Sequence, residues 1–500
     1  MVSHRNVPAT RRLLAAIGVA GWCVVVTGAA RCSRHPGPSS LQSSPAVLRV
    51  GFGSLPQQTP QGGLRQFTSN FSVEGLVNLT EDGHPRAWLA KAWSLSSDGL
   101  TLTIELRPEA KFHDGSAVTA PVVVDVLKNA LPKNMGPIFE DIDSISAASQ
   151  TSIVVRLKRP SPFVLESLET VIQKPGASSI GTGPFVVVAG QTPALRAFDN
   201  YYLGRPSIGE ITETPYPSVR TAWAELLRGN IDMLYEVNVD ALDSLQDSAS
   251  VSVSSFVRHY QYTIIFGSRA AALAPANVRR GLNAAIDRAS VIRDALGGHG
   301  IPSTGPVPPA HWAMGPATPK IAFNTDLAKS LAARHVRFTL LVPSDSVYER
   351  LALSVKQQLA AASVDMQVVE ATQDQIFHAV DTNDFQAVLV DMLSGPSLFR
   401  SYRPYNSKVQ YAPKMQPSPE VDAALDRIRY AASDAEYIAG VTAFQQAVVD
   451  SPPALYLAWG ERARAVSRRF DVPAPENGRD ILATLRLWRP VGAPRAASTN

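Results

Sequence analysis

The fold is decided by residues 76–127, which read LVNLTEDGHPRAWLAKAWSLSSDGLTLTIELRPEAKFHDGSAVTAPVVVDVL. Within this stretch, Asp98-Gly99 is a hairpin signal between two strand-like runs, Trp93–Ser96 and Leu100–Leu106. The second run alternates apolar residues with Thr and Glu, as a half-buried strand does. The stretch therefore predicts an antiparallel hairpin near the start of the chain.

Helical signals flank this hairpin on both sides. Before it, the apolar side chains of Trp88–Trp93 recur at near-helical spacing. After it, an apolar run over Val122–Leu131 predicts a helix, with Thr119 as a plausible N-cap and a proline near the helix start.

The same stretch resembles the signature region of the extracellular solute-binding proteins of the oligopeptide, dipeptide and nickel type, family 5. Members of that family carry the residues DG, P, LA and W in that order, which match Asp82-Gly83, Pro85, Leu89-Ala90 and Trp93 here. The motifs DG, LR, FHDG and TA-x-DV then follow in the family, in the same order as the similar residues of this stretch. Similar segments continue at Gly181–Phe185, Asn200–Pro206 and Val278–Gly305, so the resemblance spans roughly residues 47–490. One departure is Pro121, where the family usually has an acidic residue.

The resemblance implies an α/β periplasmic-binding-protein-like fold. Two lobes with mixed sheets would be joined by two hinge crossovers and would close on a ligand. The length of 500 residues also suggests two or three packed units. We expect lobe 1, with an extra subdomain, at 47–262, lobe 2 at 263–468, and a return to lobe 1 with a C-terminal tail at 469–500.

The N-terminus has the composition of a bacterial export signal. Arg11-Arg12 ends a basic region, and the uncharged apolar stretch Leu13–Ala30 follows. Residues 1–31 are therefore predicted to be an export signal. The arginine pair also resembles a twin-arginine signal, and an apolar stretch of this length could instead remain as an uncleaved anchor.

The two cysteines of the chain, Cys23 and Cys32, both lie in this region. The folded part therefore has no disulfide and no cysteine metal site. Gly28–Cys32 resembles a lipoprotein attachment box, although Arg31 stands where a small residue is normal. Cleavage after Ala30 is the alternative to lipidation at Cys32. The Ser- and Pro-rich residues 32–46 are expected to form a flexible tether.

The charge pattern argues against nucleic acid as a partner. The formal net charge is +4, and Arg5, Arg11, Arg12 and Arg31 account for all of it, because residues 1–31 contain no acid. The remainder is neutral overall and has no net electrostatic attraction to nucleic acid or to an anionic membrane surface.

Motifs for catalysis or metal binding are missing from the sequence. We find no nucleophile elbow, no P-loop and no His-Glu-x-x-His motif. The nine histidines are scattered, with no pair at helical spacing. We therefore expect a protein that is not an enzyme and that holds no metal and no cofactor.

Candidate ligand contacts follow from where the resemblance places the cleft. Aromatic side chains commonly line such pockets. Tyr235 and Glu236 follow a predicted strand, Tyr260 and Tyr262 lie in the segment that resembles the first crossover, and Trp312 follows a Pro-rich turn. Core packing is the alternative role for each aromatic residue. Glu236 in a cleft would be able to pair with a ligand amine.

The predicted strand Gln386–Leu393 departs from the family. Peptide-binding members generally carry an aromatic residue here, followed by an acid that forms a salt bridge with the free amine of the peptide. This chain has Asp391, but Ser394-Gly395-Pro396 stands where the family's acidic loop is expected. Either Asp391 substitutes as the anchor, or the ligand presents no amine there.

Taken together, the resemblance implies the extracytoplasmic solute-binding component of an ABC importer. It would capture a small peptide or peptide-like solute by lobe closure and pass it to a permease and ATPase complex. We expect a monomer, exported to the periplasm or cell surface and tethered to the membrane by a lipid or by its N-terminus. The alternatives are another solute (a nickel complex, an opine or a sugar) or an envelope protein without a role in transport.

Overall fold

The computed structural model describes residues 45–493, except for short gaps. Predictions for residues 1–44, including the export signal, Cys32 and nearly all of the tether, lie outside the described residues. The gaps are residues 55–58, 178, 189, 191–193, 238–241, 243–244, 246–247, 394, 410–413 and 476–478.

The strands account for most of the architecture. In chain order they are β1 (Ala46–Phe52), β2 (Val77–Leu79), β3 (Pro85–Ala87), β4 (Ala90–Leu95), β5 (Thr101–Leu106), β6 (Ile142–Ala147), β7 (Ser152–Leu157), β8 (Phe185–Val188), β9 (Ala194–Ala197), β10 (Ile208–Pro215), β11 (Met233–Val237), β12 (Val251–Phe266), β13 (Gly300–Pro302), β14 (Arg337–Pro343), β15 (Asp365–Ala371), β16 (Ala387–Leu393), β17 (Ala454–Ser467), β18 (Phe470–Asp471) and β19 (Arg489–Pro490).

The helices pack on these strands. The α-helices are α1 (Pro60–Ser72), α2 (Ala120–Met135), α3 (Pro162–Ser167), α4 (Val219–Leu227), α5 (Ala276–Ala284), α6 (Arg288–Leu296), α7 (Thr325–Lys329), α8 (Ser346–Ala361), α9 (Gln373–Thr382), α10 (Leu398–Tyr405), α11 (Pro419–Arg429) and α12 (Asp434–Asp450). Short 3₁₀ helices cover Gly136–Asp141, Ala271–Leu273, Ala332–Arg334 and Ile481–Leu487.

One mixed sheet runs through the molecule in the order β15-β14-β16-β12-β17-β11-β1-β10-β9-β8, with β13 paired to β17. The strands β12 and β17 are 16 and 14 residues long, longer than an ordinary strand. The two strands pair with each other along most of their length. The C-terminal half of β12 also pairs with β16, and the C-terminal half of β17 also pairs with β11. These two strands therefore connect the two halves of the sheet.

A second body, which we call the small-sheet unit, comprises residues 74–172. It holds the two-stranded sheet β2-β3 and the four-stranded sheet β4-β5-β7-β6. Residues Leu102, Ile104 and Leu106 of β5 point inward while Glu105 is exposed, so the alternation seen in the sequence places one face of this sheet in the core.

A third body, which we call the helical unit, comprises residues 397–450 with α10, α11 and α12. Its apolar side chains and those of the small-sheet unit belong to one continuous core cluster. The ring of Phe163 in α3, for example, has centroid distances of 6.1 Å to Phe399 and 5.8 Å to Tyr402. The two units are thus in direct apolar contact.

The predicted hairpin is confirmed, because β4 and β5 pair antiparallel around Asp98-Gly99. The near-helical spacing of Trp88–Trp93 is misleading, since Ala90–Leu95 forms β4. There Trp93 lies opposite Ile104 of β5, so pairing in the sheet overrides the local pattern. The helix predicted over Val122–Leu131 is confirmed and is longer, beginning at Ala120 and ending at Met135.

Candidate functional site

Three of the six candidate residues meet around one arginine that the sequence analysis did not single out, Arg462 of β17. Glu236 Oε1 lies 2.9 Å from Arg462 Nε, and Asp391 Oδ2 lies 3.8 Å from Nη2. The same Nη2 donates a hydrogen bond of 3.0 Å to the Tyr262 hydroxyl. We call Glu236, Tyr262, Asp391 and Arg462 the Arg462 cluster.

Sheet register explains why these residues meet. Tyr262 of β12 lies directly opposite Asp391 of β16. On the other side, β11 pairs antiparallel with β17 and has a register shift between Leu234 and Val237; Glu236 and Arg462 are diagonal neighbours across the pair Val237 and Ala463. The cluster therefore forms where β11, β12, β16 and β17 run side by side.

The Arg462 cluster is internal. The side chains of Arg462, Glu236 and Asp391 are only 14%, 8% and 6% exposed. Burial alone would lower the pKa of the Arg462 guanidinium, but Tyr262 and the two carboxylates raise it above its ordinary value. Both acids are thus already neutralised in part by a cation of the protein, and a ligand amine would have to compete with it.

Tyr235 lies away from this cluster. Successive strand residues point to opposite faces, so Tyr235 faces the other way from Glu236. Its ring packs on Phe52 at 4.8 Å and lies under the Arg464 guanidinium at 4.1 Å. With 5% exposure, Tyr235 is a core residue of the described structure.

Trp312 occupies a second site, in a column of stacked rings. Its ring lies 5.1 Å from His84 of the small-sheet unit and 4.9 Å from Tyr437 of the helical unit. Its backbone N–H also donates to the Asp82 carbonyl at 2.9 Å. Trp312 therefore lies between the two units.

The turn Thr80–His84 between β2 and β3 reaches the crossing strand at this second site. His259 Nε2 of β12 lies 2.9 Å from Glu81 Oε1, and both side chains are about one quarter exposed. Gly83 has φ +92°, and a Cβ there would lie 2.8 Å from the Pro396 carbonyl oxygen. Only glycine fits this close approach.

Tyr260 lies near the same place. It follows His259 directly in β12 and is partly exposed. Its backbone pairs with Leu393 at the end of β16. The structure thus groups Tyr262, Glu236 and Asp391 in one internal cluster and places Trp312 in the stacked column. Tyr260 lies at the crossing, and Tyr235 is separate from all of these. Ser394 falls outside the described residues.

Arg462, Glu81 and His259 were not predicted from the sequence. Arg462 did leave a signal, because Glu461, Arg462 and Arg464 interrupt an otherwise apolar strand. Charged residues in a buried strand require partners, so their presence predicts ion pairs. Nothing in the local sequence around Glu81 or His259 indicated that they meet.

Within the described ranges, no group of three or more His, Cys, Asp or Glu residues is arranged to hold a metal ion. Over the same residues, no helix has both the length and the apolar character needed to span a membrane.

Comparisons with known proteins agree with this architecture. A family model described as bacterial extracellular solute-binding proteins, family 5 Middle, matches residues 84–409. The chain is 29% identical over 358 residues to the glutathione-binding protein GsiB of Pectobacterium atrosepticum, covering 65% of this chain and 68% of that protein. GsiB of Escherichia coli K12 is 26% identical, over 53% of this chain and 56% of its own length.

Solved structures show the same fold at low identity. NikZ from Campylobacter jejuni, in complex with Ni(L-His), superposes with a TM-score of 0.74 at 19% identity, covering 89% of this chain and 99% of NikZ. The oligopeptide-binding protein AppA from Bacillus subtilis, in complex with a nonapeptide, gives 0.72 at 19% identity, covering 89% and 100%. The fold is therefore that of the two-lobed, mixed-sheet α/β binding proteins.

Proposed function

Because the chain belongs to the bacterial extracellular solute-binding proteins of family 5, we propose that it captures a small peptide or peptide-like solute by lobe closure. The lobes would be residues 47–262 with the return segment 469–500, and residues 263–468. The captured solute would be delivered to the permease and ATPase of an ABC importer.

The observation that carries the proposal is the pair of long strands β12 and β17. They join the two halves of the large sheet. The pairing between them is irregular from Val257 to Gln261, a segment that contains His259 and Tyr260. An irregularity at the point where two bodies are joined suits hinge motion, because few residues then have to change backbone angles.

We place the solute on the side of the sheet that faces Trp312 rather than on the side of the Arg462 cluster. Alternate residues of β16 point to opposite faces, and Met392 belongs to the core cluster against which Trp312 packs. Asp391 faces the opposite side, towards Tyr348 of α8, which stacks edge-on against Tyr262 at 5.6 Å. This arrangement supports Trp312 and Met392 as solute contacts, whereas Tyr260, two residues before Tyr262 in β12, lies on the face of the Arg462 cluster.

The same arrangement bears on the anchor for a solute amine. Asp391 and Glu236 share the Arg462 guanidinium, whereas Glu81 is a partly exposed acid on the Trp312 side. We therefore propose Glu81, rather than Asp391 or Glu236, as the acid that meets a solute ammonium. Such a charge-assisted hydrogen bond would be made at the expense of the contact between Glu81 and His259.

The direct test is to identify what the full chain binds. The protein would be purified from its native envelope, and any retained solute released and identified by mass spectrometry. Glutathione, a nonapeptide and Ni(L-His) would then be titrated by calorimetry. Recovery of short peptides supports the proposal, whereas binding of Ni(L-His) alone would show that the solute is a metal complex.

A second candidate function is a non-transport role in the envelope. It is favoured by the contacts that already join the two predicted lobes directly, such as the Trp312 ring with the His84 ring and the Trp312 backbone N–H with the Asp82 carbonyl. A fold held together in this way would need no solute. Failure to bind any peptide at millimolar concentration would favour this candidate.

We also propose attachment to the membrane through a lipid on Cys32, with cleavage after Ala30 and an uncleaved anchor as the competing outcomes. The position of Cys32 at the end of an export signal supports it. Intact-mass analysis of the membrane-associated protein separates these three forms, because a chain with a diacylglyceryl group, a chain that begins at Arg31 and a chain with its intact signal differ in mass. The variant C32S should lose only the lipid-modified form.

A further inference from the structure

Two carboxylates of the small-sheet unit are buried against the helical unit. Glu166 and Asp141 both belong to predicted lobe 1, and their partners in the helical unit belong to predicted lobe 2. Neither acid is part of the Arg462 cluster or of the stacked column. The contacts therefore join the predicted lobes at a place away from β12 and β17.

Glu166, in α3, accepts three hydrogen bonds from the helical unit. Its Oε2 accepts from the Ser397 hydroxyl and, at 3.2 Å, from the Phe399 backbone N–H, while its Oε1 accepts from the Tyr437 hydroxyl at 3.0 Å. Ser397 is the N-cap residue of α10, yet its side chain does not cap its own helix. The carboxylate of Glu166 takes that role from outside.

Asp141 forms the second buried contact. Its two oxygens accept bonds of 2.7 Å and 2.9 Å from Nε and Nη2 of Arg429 in α11. The Asp141 side chain is fully buried and Arg429 is 7% exposed. A buried bidentate pair of this kind needs good geometry to offset its desolvation, and this pair has it.

Glu166 also bears on the stacked column. The hydroxyl that donates to Glu166 belongs to Tyr437, whose ring stacks on Trp312 at 4.9 Å. The Trp312 ring in turn lies 5.1 Å from the His84 ring, tilted by 33°. The position of Tyr437, and with it one wall of the proposed solute site, therefore depends on the bond to Glu166.

We propose that Glu166 is a proton-responsive latch: it holds the small-sheet unit on the helical unit when the lobes are closed, and the closed arrangement weakens as the pH rises. The proposal rests on the proposed function, since it concerns the closure of that same site. Asp141 and Arg429 form a second, charged contact of the same latch.

The direction of the pH response follows from burial. Desolvation raises the pKa of Glu166 from its ordinary value of 4.5 to about 7, against the three hydrogen bonds, and the nearby charge of Glu169 adds to the rise. Lobe opening exposes Glu166 to water, and its pKa falls back towards the ordinary value. The closed form thus binds the proton more tightly, and it loses stability relative to the open form as the pH rises from about 4.5 to about 7.

The other charged and titratable groups around Glu166 do not reverse this direction. Glu169 is paired with Arg400 at 3.1 Å. Burial raises the pKa of the Tyr437 hydroxyl well above its ordinary value, and burial lowers the pKa of His311, stacked on Tyr437, to about 4. Tyr437 and His311 therefore stay neutral between pH 5 and 8. Arg429 is held by Asp141.

Hydrogen exchange of the Phe399 amide tests the latch in the full chain without any solute. This N–H bonds to Glu166 only while the two units are in contact. After correction for intrinsic exchange, its protection should fall by about tenfold per pH unit between pH 5 and 7 and level off above that. Amides of β1 should be more strongly protected, because they exchange only on global unfolding.

The variant E166Q should abolish the pH dependence at Phe399. E74Q is the matched control: burial raises the pKa of Glu74 to about 7 as well, but its carboxylate bonds to the Tyr202 hydroxyl, away from the helical unit. E74Q should therefore keep the response. If E166Q does not fold, the pH dependence of Phe399 protection in the wild type alone tests the proposal.

Three results would overturn the proposal. These are protection at Phe399 that does not change with pH, a response retained in E166Q, or exchange at Phe399 only together with the β1 amides, which would make the contact permanent. A chain that binds no peptide but shows the pH response at Phe399 would retain the latch and reject the proposed function. A chain that binds peptide but shows no pH response would reject the latch and retain the proposed function.

Discussion

Arg462 Nε lies 2.9 Å from Glu236 Oε1, so a cation of β17 occupies the place that a ligand amine was expected to take beside that acid. The same guanidinium reaches Asp391 and Tyr262. Three residues predicted as ligand contacts from separate parts of the sequence, two of them acids, therefore meet at one internal cation.

The first prediction concerns this counter-ion. R462M leaves Glu236 and Asp391 buried without their cation and should lower the free energy of unfolding by about 3–5 kcal/mol. The triple variant E236Q/D391N/R462M should recover most of the loss, because no buried charge then remains unpaired. Urea unfolding of both variants measures the difference, and equal losses would show that Arg462 acts through packing.

The second prediction separates Trp312 from Asp391 in solute binding. W312A should weaken binding of the co-purified solute by about tenfold or more, whereas D391N should change it by less than about threefold. W223A is the control, since Trp223 lies in α4 and packs in a different core cluster. Calorimetric titration decides, and a larger effect of D391N than of W312A would restore Asp391 as the anchor.

The third prediction concerns Gly83. G83A should destabilise the protein more than G115A, because both glycines have positive φ but only Gly83 has a backbone oxygen within 2.8 Å of the added Cβ. G115A isolates the backbone strain, about 1 kcal/mol, and the close approach to Pro396 should add about 1–3 kcal/mol. Thermal unfolding compares the two variants. Equal decreases in Tm would mean that the turn can move away from Pro396 at no cost.

The fourth prediction is a pH dependence of stability at Glu213 in β10. Its two carboxylate oxygens accept from the Thr68 hydroxyl, at 3.0 Å and 3.1 Å, and burial raises its pKa to about 7. Stability contributed by the protonated form is therefore present at pH 5 and is lost as the pH rises towards 7. E213Q avoids this loss and should be more stable than wild type at pH 8 by about 1–3 kcal/mol.

Urea unfolding at pH 5 and pH 8 checks the fourth prediction. At pH 5 the variant E213Q and the wild type should be nearly equal. E210Q is the control on the same strand, because Glu210 is only partly buried and should show no such gain. A gain for E213Q at both pH values would assign the effect to packing.

Local sequence signals predicted the elements well where the signal and the tertiary structure agree. The Asp98-Gly99 hairpin, the helix that follows Thr119 and the strand that carries Asp391 are confirmed. Trp88–Trp93 shows the limit, because its spacing is near-helical while pairing with β5 makes Ala90–Leu95 a strand.

The candidate site was predicted only in part, and the reason is register. Glu236, Tyr262 and Asp391 were named one at a time, but their meeting at Arg462 depends on which residues of β11, β12, β16 and β17 lie opposite each other. A shift of one residue in any of these strands would turn its side chain to the other face. Sequence periodicity does not fix that register, and the lobe boundaries therefore stay a prediction.

The outside cap on α10 has a consequence for how the chain acquires its structure. Because Glu166 supplies the acceptor for the Phe399 amide, α10 lacks that bond until α3 has docked. The N-terminal third of the chain thus completes a helix that emerges much later during synthesis and export. We expect α10 to be among the last helices to become protected during refolding, and pulse-labelling of amide protons would reveal that order.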